Sequence, residues 1–326
     1  CLRHGMNASV HNVPDNGSDA GGLSVDEVDA LFSRLTPFSD LALAVSGGSD
    51  SLCLLVLFSE WRQRNRWKGV AEVLVVDHGL RSESAAEARF VCDAAREHGL
   101  GARVLIWEGP KPRSNIQDEA RRARYRLVAE RIADTGAQAL VLGHHMDDQA
   151  ETFLDRLTRG SGVSGLSAMA IDEPAGPEGL RLLRPFLSVR KHRLEASLAA
   201  RGCNWCRDPS NDDQKYKRSR LRRIMGLLEQ EGLTAERLFE TAGRMRRSRE
   251  ALDSVVDNIS SGLLENHRSG PARMDRGRYR DLPEDLRLRL LKHVVQTVTG
   301  RRPEPRLRQL ESLDAILCSD RFGRQS

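Results

Sequence analysis

The six residues Ser46–Ser51, with the sequence SGGSDS, have the composition of a turn that binds an anion. They lie between an apolar run and a segment of helical period, which predicts a strand-to-helix turn and not a linker between domains. Gly47 and Gly48 would let the backbone turn tightly, so that the following N–H groups point at whatever lies over the helix N-terminus. The familiar templates GxGxxG and GxxxxGK followed by Ser or Thr do not fit, and the second would require a lysine that this turn lacks.

Asp50 is the unusual member of this segment, which we name the phosphate turn (Ser46–Ser51). A carboxylate repels a phosphate unless a cation lies between them, so Asp50 predicts a Mg²⁺ ion that bridges to phosphates. The hydroxyl groups of Ser46, Ser49 and Ser51 would add hydrogen-bond donors. The alternative is a plain strand-to-helix turn with serine capping.

A second polar cluster, GHHMDDQAET, begins at Gly143. Asp148 and Glu151 are three residues apart and would share one helix face. His144 and His145 could orient a phosphate or a nucleotide. Histidine and carboxylate at this spacing also suit zinc or iron, which remains an alternative on these residues alone.

Four short apolar runs must position these clusters. They are Leu41–Val45, Val73–Val76, Val104–Ile106 and Ala139–Leu142, and segments of helical period cover residues 51–66, 84–98 and 116–135 between them. Alternating strands and helices predict a parallel sheet, which binds ligands outside the carboxyl ends of its strands. The polar residues after the first, second and fourth strands should therefore converge. We expect an α/β domain with a parallel twisted sheet and helices on both faces, followed by a mostly helical basic domain.

The charge distribution supports this division of the 326 residues. Residues 1–216 carry 27 Lys and Arg against 30 Asp and Glu, whereas residues 217–326 carry 24 against 16, so the net charge changes from −3 to +8. A basic segment suggests a nucleic-acid partner, and the alternative is a helical surface that uses arginine for solubility. We predict a flexible N-terminal segment (1–23), a catalytic domain (24–216) and a helical nucleic-acid-binding domain (217–326). The final stretch, DRFGRQS, does not resemble the end of a finished domain, which leaves a truncated domain and a short form as alternatives.

Composition also limits the compartment. No apolar run approaches the ~20 residues that span a bilayer, and residues 1–23 contain no apolar stretch typical of a secretory signal. Six cysteines are too sparse for a disulfide framework, which favours a cytoplasmic protein without a membrane partner. The sequence does not indicate the oligomeric state.

The arrangement strand–SGGxDS–helix resembles the pyrophosphate loop (PP-loop) of the N-type ATP pyrophosphatases. These enzymes split ATP into AMP and pyrophosphate while they adenylate a substrate. The resemblance implies a Rossmann-like fold of the adenine nucleotide alpha-hydrolase type, with ATP and Mg²⁺ over the phosphate turn. Gly143 would also contact ATP, and the adenine and ribose would lie near Asp77 and His78. For these last two residues a turn capped by Asp77 remains the alternative.

Further stretches resemble the tRNA(Ile)-lysidine synthetase family. They are VDHGLRSES (76–84), NIQDEARRARY (115–125), GHHMDDQAETFLDRLTRGSGVSGLSAM (143–169), and LLRPFL with DPSNDDQKYKRSRLR (182–222). The resemblance implies that ATP adenylates the C2 oxygen of the wobble cytidine in an isoleucine tRNA with the anticodon CAU. The ε-amine of L-lysine then displaces AMP and forms lysidine, which changes the codon read from AUG to AUA.

The resemblance carries over to individual residues. It implies that Arg121 stabilises charge during adenylyl transfer, as suits a guanidinium group. It places the lysine-binding and catalytic carboxylates at Asp148 and Glu151, with Asp50 as a further catalytic residue. Arg218 would contact the lysine carboxylate or a phosphate, although Ser219 follows it where the family usually has asparagine.

Other contacts and alternatives complete the prediction. Contacts to nucleotide or tRNA are expected at Arg81, Arg124, His144 and His145, and a solvated basic face is the alternative for the arginines of EARRARY. Cys203 and Cys206 form a CxxC that keeps a PP-loop tRNA thiolase open as an alternative, although one CxxC cannot hold an iron–sulfur cluster by itself. A tRNA-binding protein with a vestigial ATP site is the non-enzymatic alternative.

Overall fold

Strands and helices alternate along the first two thirds of the chain. The computed structural model describes residues 21–80, 83–109, 111, 116–206, 217–265, 273–299 and 305–319. The strands here are β1 (Asp40–Ala44), β2 (Val70–Asp77), β3 (Gly101–Ile106), β4 (Ala139–Leu142), β5 (Asp172–Glu173) and β6 (Leu182–Leu183). The helices are α1 (Val25–Phe32), α2 (Ser49–Arg64), α3 (Ser84–Glu97), α4 (Ile116–Thr135), α5 (Met146–Leu157), α6 (Val163–Leu166) and α7 (Lys191–Ala199).

The six strands form one sheet in the order β3-β2-β1-β4-β6-β5. All neighbours are parallel except β5 and β6, which are antiparallel. In β1, Leu41 pairs with Ala71 of β2 on one side and with Ala139 of β4 on the other. The chain thus builds outward from β1 to β3 and then returns to the opposite edge of β1. The point between β1 and β4, where this direction reverses, is where parallel sheets bind ligands.

Helices cover both faces of the sheet, which confirms the predicted fold class. Leu41 and Leu43 belong to a core on one face that also contains side chains of α1, α2, α3 and α7. Ala42, which points the opposite way in the pleated strand, belongs to a second core with Tyr125 and Val128 of α4. α2 is buried over most of its length, from Leu52 to Phe58, because it lies in the middle of the first of these layers.

α7 is held against α1 and α2 by one ion pair near its start and another just beyond its end. Arg193 Nη1 lies 2.7 Å from Glu27 Oε1, and Glu27 also closes a capping box with Ser24 at the start of α1. Arg201, just beyond α7, donates from Nε to Glu60 Oε1 of α2 at 2.6 Å. These contacts hold the first residue of α7, Lys191, close to the N-terminal end of α2.

The rest of the chain is mostly helical. Its elements are α8 (Lys217–Gln230), α9 (Ala235–Leu263), β7 (Leu264–Glu265), β8 (Arg273–Met274), α10 (Arg276–Arg280), α11 (Glu284–Thr299) and α12 (Leu307–Cys318), with β7 and β8 antiparallel. Among the described helices, none is both long and apolar enough to cross a lipid bilayer.

The described chain divides into two compact units. The first contains the described residues up to Leu154 and Met169–Phe239, and the second contains Asp155–Ala168 and the described residues from Glu240 onward. The boundary predicted from sequence, between residues 216 and 217, differs from this division because α8 groups with the sheet, and as a domain boundary it stays a prediction. Of the predicted flexible segment 1–23, residues 1–20 lie outside the described chain, while Leu23 is buried.

The second unit has a core of its own. Tyr279, Leu290 and Leu291 are buried there. The hydroxyl group of Tyr279 donates to Asp314 Oδ1 at 2.6 Å, and Arg287 donates to both oxygens of that carboxylate at 2.8 and 3.1 Å. The buried charge of Asp314 is therefore paired and hydrogen-bonded, as a buried carboxylate requires.

Candidate active site

The phosphate turn connects β1 to α2 and is shaped by its own side chains. Gly47 has φ +89°, a conformation that residues with a side chain rarely adopt, and Gly48 is the extended N-cap of α2. The hydroxyl of Ser51 accepts from the N–H of Ser46 and donates to the carbonyl of Gly48, both at 3.1 Å. The hydroxyl of Ser49 donates to Asp50 Oδ1 at 3.0 Å. With these hydroxyls engaged, the N–H groups of the first turn of α2 are the donors that the turn offers to an anion.

Gly143 joins the end of β4 to this turn. A β-carbon at residue 143 would lie 2.7 Å from the carbonyl oxygen of Asp50 and 3.1 Å from the backbone nitrogen of Ser51. Only glycine permits two backbones to approach so closely. Of the polar residues predicted to converge after the first, second and fourth strands, those after the first and fourth meet here, and the contact lies at the reversal point of the sheet.

His145 links the two clusters through three carboxylates. Its imidazole is buried, with Nε2 3.4 Å from both Asp50 Oδ2 and Asp148 Oδ2 and Nδ1 3.5 Å from Asp147 Oδ2. Burial lowers the pKa of His145, but hydrogen bonds to Asp147 and Asp50 and the charge of Asp148 outweigh it and raise the pKa to about 10. The raised pKa favours the charged imidazolium among these three carboxylates, and the N–H of Asp148 lies 3.3 Å from Nδ1.

Two of the carboxylates around His145, those of Asp50 and Asp147, have pKa values below the ordinary range. Burial raises the pKa of Asp50, yet the hydrogen bond and charge of His145, together with Lys191, hold it below its ordinary value. The pKa of Asp147 is lowered to about 2, because His145, Arg190 and the N–H of Lys191 outweigh its burial. The phosphate turn and the first turn of α5 are consequently held together by charge as well as by backbone contact.

His144 has the opposite protonation state. Burial, with the charges of Arg184, Arg121 and Arg218, outweighs the opposing charge of Asp148 and lowers the pKa of His144 to about 4. Arg184 Nε donates to Nδ1 at 3.3 Å, so the proton of the neutral ring is on Nε2. Arg184 is itself buried and also donates to the carbonyl of Ala170. Sequence reasoning missed Arg184, although a charge inside the apolar stretch LLRPFL was a usable signal.

Glu151 is buried on α5, one turn after Asp148. Burial raises the pKa of Glu151, the charge of Asp148 adds to the increase, and Arg222 opposes it. Arg222 of α8 donates from Nε to Glu151 Oε1, whereas Oε2 is buried and has no hydrogen-bond partner among the described residues. A buried carboxylate oxygen without a partner is costly, so this atom is a candidate acceptor for a ligand. The predicted Arg218 acts on Glu151 through its charge, and the direct contact is made by Arg222, which the sequence did not single out.

α4 brings Arg121 and Arg124 close to His144 and His78, which follow the carboxyl ends of β4 and β2. Arg121 is exposed, lies over the ring of Tyr125 at 5.1 Å, and is close enough to His144 to lower its pKa. Arg124 Nη2 donates to His78 Nε2 at 3.1 Å. Burial and the charge of Arg124 lower the pKa of His78 to about 4, so this imidazole is neutral.

The residues after β2 form a capped turn. Asp77 Oδ1 accepts from the N–H of Gly79 at 2.9 Å and from the hydroxyl of Ser84 at 2.6 Å. This geometry corresponds to the alternative of a turn capped by Asp77, and contact of Asp77 or His78 with adenine and ribose stays a prediction. Arg81 lies outside the described residues.

Lys191 is a further cation at the site that the sequence did not single out. Its Nζ lies 3.9 Å from Asp50 Oδ2 and 3.9 Å from Glu195 Oε1. Its backbone N–H donates to Asp147 Oδ2 at 2.8 Å. Lys191 thus contacts both the phosphate turn and the first turn of α5.

Cys206, the second cysteine of the CxxC, lies beside the phosphate turn. The N–H of Cys206 donates to the carbonyl of Gly47 at 2.9 Å. Burial raises the pKa of both Cys203 and Cys206, which keeps them as thiols and disfavours nucleophilic or metal-binding thiolates. Within the described part of the chain, no group of three His, Cys, Asp or Glu side chains could hold a metal ion. The geometry therefore does not support the zinc or iron alternative.

Comparisons with known proteins agree with this geometry. The family model described as the PP-loop domain matches residues 24–228. A tRNA(Ile)-lysidine synthase of Methylobacterium nodulans is 43% identical over 287 residues, which cover 87% of this chain and 80% of that protein. One from Bradyrhizobium sp. is 40% identical over 284 residues, or 85% of this chain and 79% of that protein.

A solved structure shares the fold at low identity. A U34-tRNA thiolase from Methanococcus maripaludis matches with a TM-score of 0.58 and 15% identity, covering 68% of this chain and 77% of that one. This likeness concerns the fold alone.

Proposed function

The chain belongs to the tRNA(Ile)-lysidine synthase family of PP-loop proteins, and from this membership we propose that it ligates L-lysine to the wobble cytidine of the isoleucine tRNA with the anticodon CAU. It is an ATP-using ligase that acts on tRNA, and AMP and pyrophosphate are the products of ATP. The structural observation that supports this function is the junction at His145. It joins the phosphate turn to Asp148, which lies three residues before the buried Glu151 on α5.

The first step is adenylation of the cytidine. The C2 oxygen attacks the α-phosphorus of ATP, the bond from that phosphorus to the oxygen bridging to the β-phosphate breaks, and pyrophosphate leaves with the electron pair. The N–H groups at the start of α2 would bind the phosphates. Arg121, exposed on α4 and close enough to His144 to affect its pKa, would offset the charge that develops on the phosphate undergoing transfer.

Asp50 fits the role of a Mg²⁺ ligand. Its carboxylate is ionised, and its side chain keeps 29% of its surface accessible at the first turn of α2. Mg²⁺ is usually held by one or two carboxylates together with substrate phosphates. A Mg²⁺ ion bound there would neutralise phosphate charge. We expect Asp50→Asn to abolish adenylation and leave tRNA affinity nearly unchanged, which a filter-binding assay beside an AMP-release assay would show. An active Asn variant would refute the Mg²⁺ role.

The second step transfers lysine. Its ε-amine attacks C2, the C2–O bond to AMP breaks, and AMP leaves with the electron pair. The amine must first lose a proton, and a base with a raised pKa suits that task near neutral pH. Glu151 has such a pKa and a buried oxygen without a partner, while the neighbouring Asp148 would hold the ammonium group. The lysine carboxylate would be bound by Arg218 or a neighbouring arginine.

Transfer of labelled lysine to tRNA tests the proposed function. The protein is incubated with ATP, labelled lysine and total tRNA, and we expect label in the isoleucine tRNA with the anticodon CAU and in no other. In Glu151→Gln, adenylated tRNA should still form while lysine transfer is lost. Glu119→Gln, at a half-buried α4 residue paired with Arg122, is the control and should match the wild type. If wild-type protein that splits ATP transfers no labelled lysine to tRNA, the proposed function is refuted. Transfer of sulfur to tRNA when a sulfur donor is supplied would favour the thiolase.

The basic helical region is proposed to bind tRNA phosphates, and the cytoplasm is the proposed location because the tRNA substrate is there. Residues 217–326 carry the net charge of +8. Phosphate contacts release counterions, so log affinity should fall linearly with log salt concentration. A tRNA affinity that does not change with salt would contradict this assignment.

A further inference from the structure

We propose that Lys191 binds the β- and γ-phosphate oxygens of ATP and stays in contact with pyrophosphate as it departs. The proposal deepens the proposed function, because it presupposes ATP over the phosphate turn. Lys191 is the first residue of α7 and comes from a part of the chain far from that turn.

The distance from Lys191 to Asp50 shows that the ammonium group lies beside the phosphate turn. Nζ lies 3.9 Å from Asp50 Oδ2, and Asp50 belongs to the first turn of α2, where the N–H groups face an anion. An ammonium group one ion-pair distance from that turn is within reach of phosphates bound over it. The side chain keeps 39% of its surface accessible and carries three donors on a flexible stem, so the ammonium group can turn from Asp50 to a phosphate.

The backbone of Lys191, which carries this side chain, is held in place by hydrogen bonds and ion pairs. The backbone N–H of Lys191 is bound to Asp147, and α7 is tied to α1 by the pair of Arg193 with Glu27. Glu195, one turn later on α7, has Oε1 3.9 Å from Nζ of Lys191 and 3.4 Å from the hydroxyl oxygen of Ser49. The Cα of Lys191 is therefore fixed beside the phosphate turn while its ammonium group can move.

The chemistry of the turn explains why a cation is needed there. The phosphate turn contains no lysine of its own, and its charged residue, Asp50, has the same sign as ATP. When the bond to the α-phosphorus breaks, negative charge accumulates on the departing pyrophosphate. A cation that can reach that position stabilises the transition state more than the ground state. Lys191 supplies from α7 the charge that the turn lacks.

Binding measurements with three nucleotide-related ligands test the proposal. Lys191→Met and Lys191→Arg are compared with the wild type for affinity to ATP, pyrophosphate and AMP by calorimetry. Loss of a charge-assisted contact predicts that the Met variant binds ATP and pyrophosphate about tenfold to a hundredfold more weakly, with AMP affinity within about twofold. The Arg variant should recover part of the loss. Lys68→Met, at an exposed residue beyond the other end of α2, is the control and should bind all three ligands like the wild type.

The outcomes separate this proposal from the proposed function. If the wild type binds neither ATP nor pyrophosphate, the proposed function fails. If the wild type binds both and Lys191→Met binds both equally well, the function stands and Lys191 forms only a surface ion pair with Asp50 and Glu195. An equal loss of ATP and AMP affinity in the Met variant would also overturn the assignment, because it would indicate a general distortion of the turn.

Discussion

Replacing Gly143 with alanine should push β4 away from the phosphate turn. The added β-carbon would lie 2.7 Å from the carbonyl oxygen of Asp50, 2.9 Å from its carbonyl carbon and 3.1 Å from the nitrogen of Ser51. All three are backbone atoms, so no side-chain rotation can relieve the overlap and the backbone must move by about half an ångström. Overpacking of this kind costs about 1–3 kcal/mol of unfolding free energy. A shift of that size at a reacting site lowers kcat/KM about tenfold.

Gly101 provides the matched control for this substitution. It is the first residue of the edge strand β3, and a β-carbon there would meet no atom within 4 Å. Urea unfolding and AMP release would be measured for Gly143→Ala, Gly101→Ala and the wild type. We expect Gly143→Ala to lose both stability to urea and AMP-release activity, and Gly101→Ala to lose neither. If Gly143→Ala unfolds at the wild-type urea concentration and releases AMP at the wild-type rate, the close contact of strand and turn does not shape the site.

Three other predictions concern buried groups. Because the pKa of His144 is about 4 in the folded chain and about 6.5 when unfolded, the unfolded chain binds a proton first as pH falls, and stability should drop by about 2 kcal/mol from pH 7 to pH 5. His144→Gln should remove that part of the drop in urea unfolding measured at both pH values, and an unchanged drop would contradict the assignment. Asp314→Ala leaves Arg287 unpaired and should cost about 3–5 kcal/mol in thermal unfolding, against less than about 1 kcal/mol for the exposed Asp285→Ala. The double variant Cys203→Ser with Cys206→Ser should retain lysine transfer within about twofold, since raised thiol pKa values disfavour a chemical role, and complete loss would favour the thiolase.

The regular part of the fold could be predicted because its signal is local. The run Leu41–Val45 predicted β1 within one residue of Asp40–Ala44, and Ala139–Leu142 matches β4 at both ends. α2 begins at Ser49, two residues before the predicted start, because Gly48 adopts the extended conformation of an N-cap. The two-residue strands β5 and β6 have too few residues for a detectable period, and their pairing depends on the edge that β4 leaves open.

The site residues that follow the ends of parallel strands could be predicted from the sequence. The residues that reach the site from other parts of the chain could not. The convergence of Asp50 with Gly143 and His145 follows from parallel strands alone. Lys191, Arg184 and Arg222 could not be identified in the same way. Lys191 lies in a mixed helix, Arg184 in an apolar stretch and Arg222 among many arginines. Only the folded chain shows the partner of each cation.

The position of β1 between β2 and β4 has a consequence for synthesis on the ribosome. Leu41 pairs with Ala139, so one edge of β1 stays unpaired until β4 emerges about 100 residues later. At about 5–20 residues per second this interval lasts about 5–20 s. During that time the hydrogen-bonding edge of β1 is open and its leucines can pair with other nascent strands. The nascent chain is therefore expected to need chaperone protection until β4 has left the exit tunnel, and only then can it bind a nucleotide.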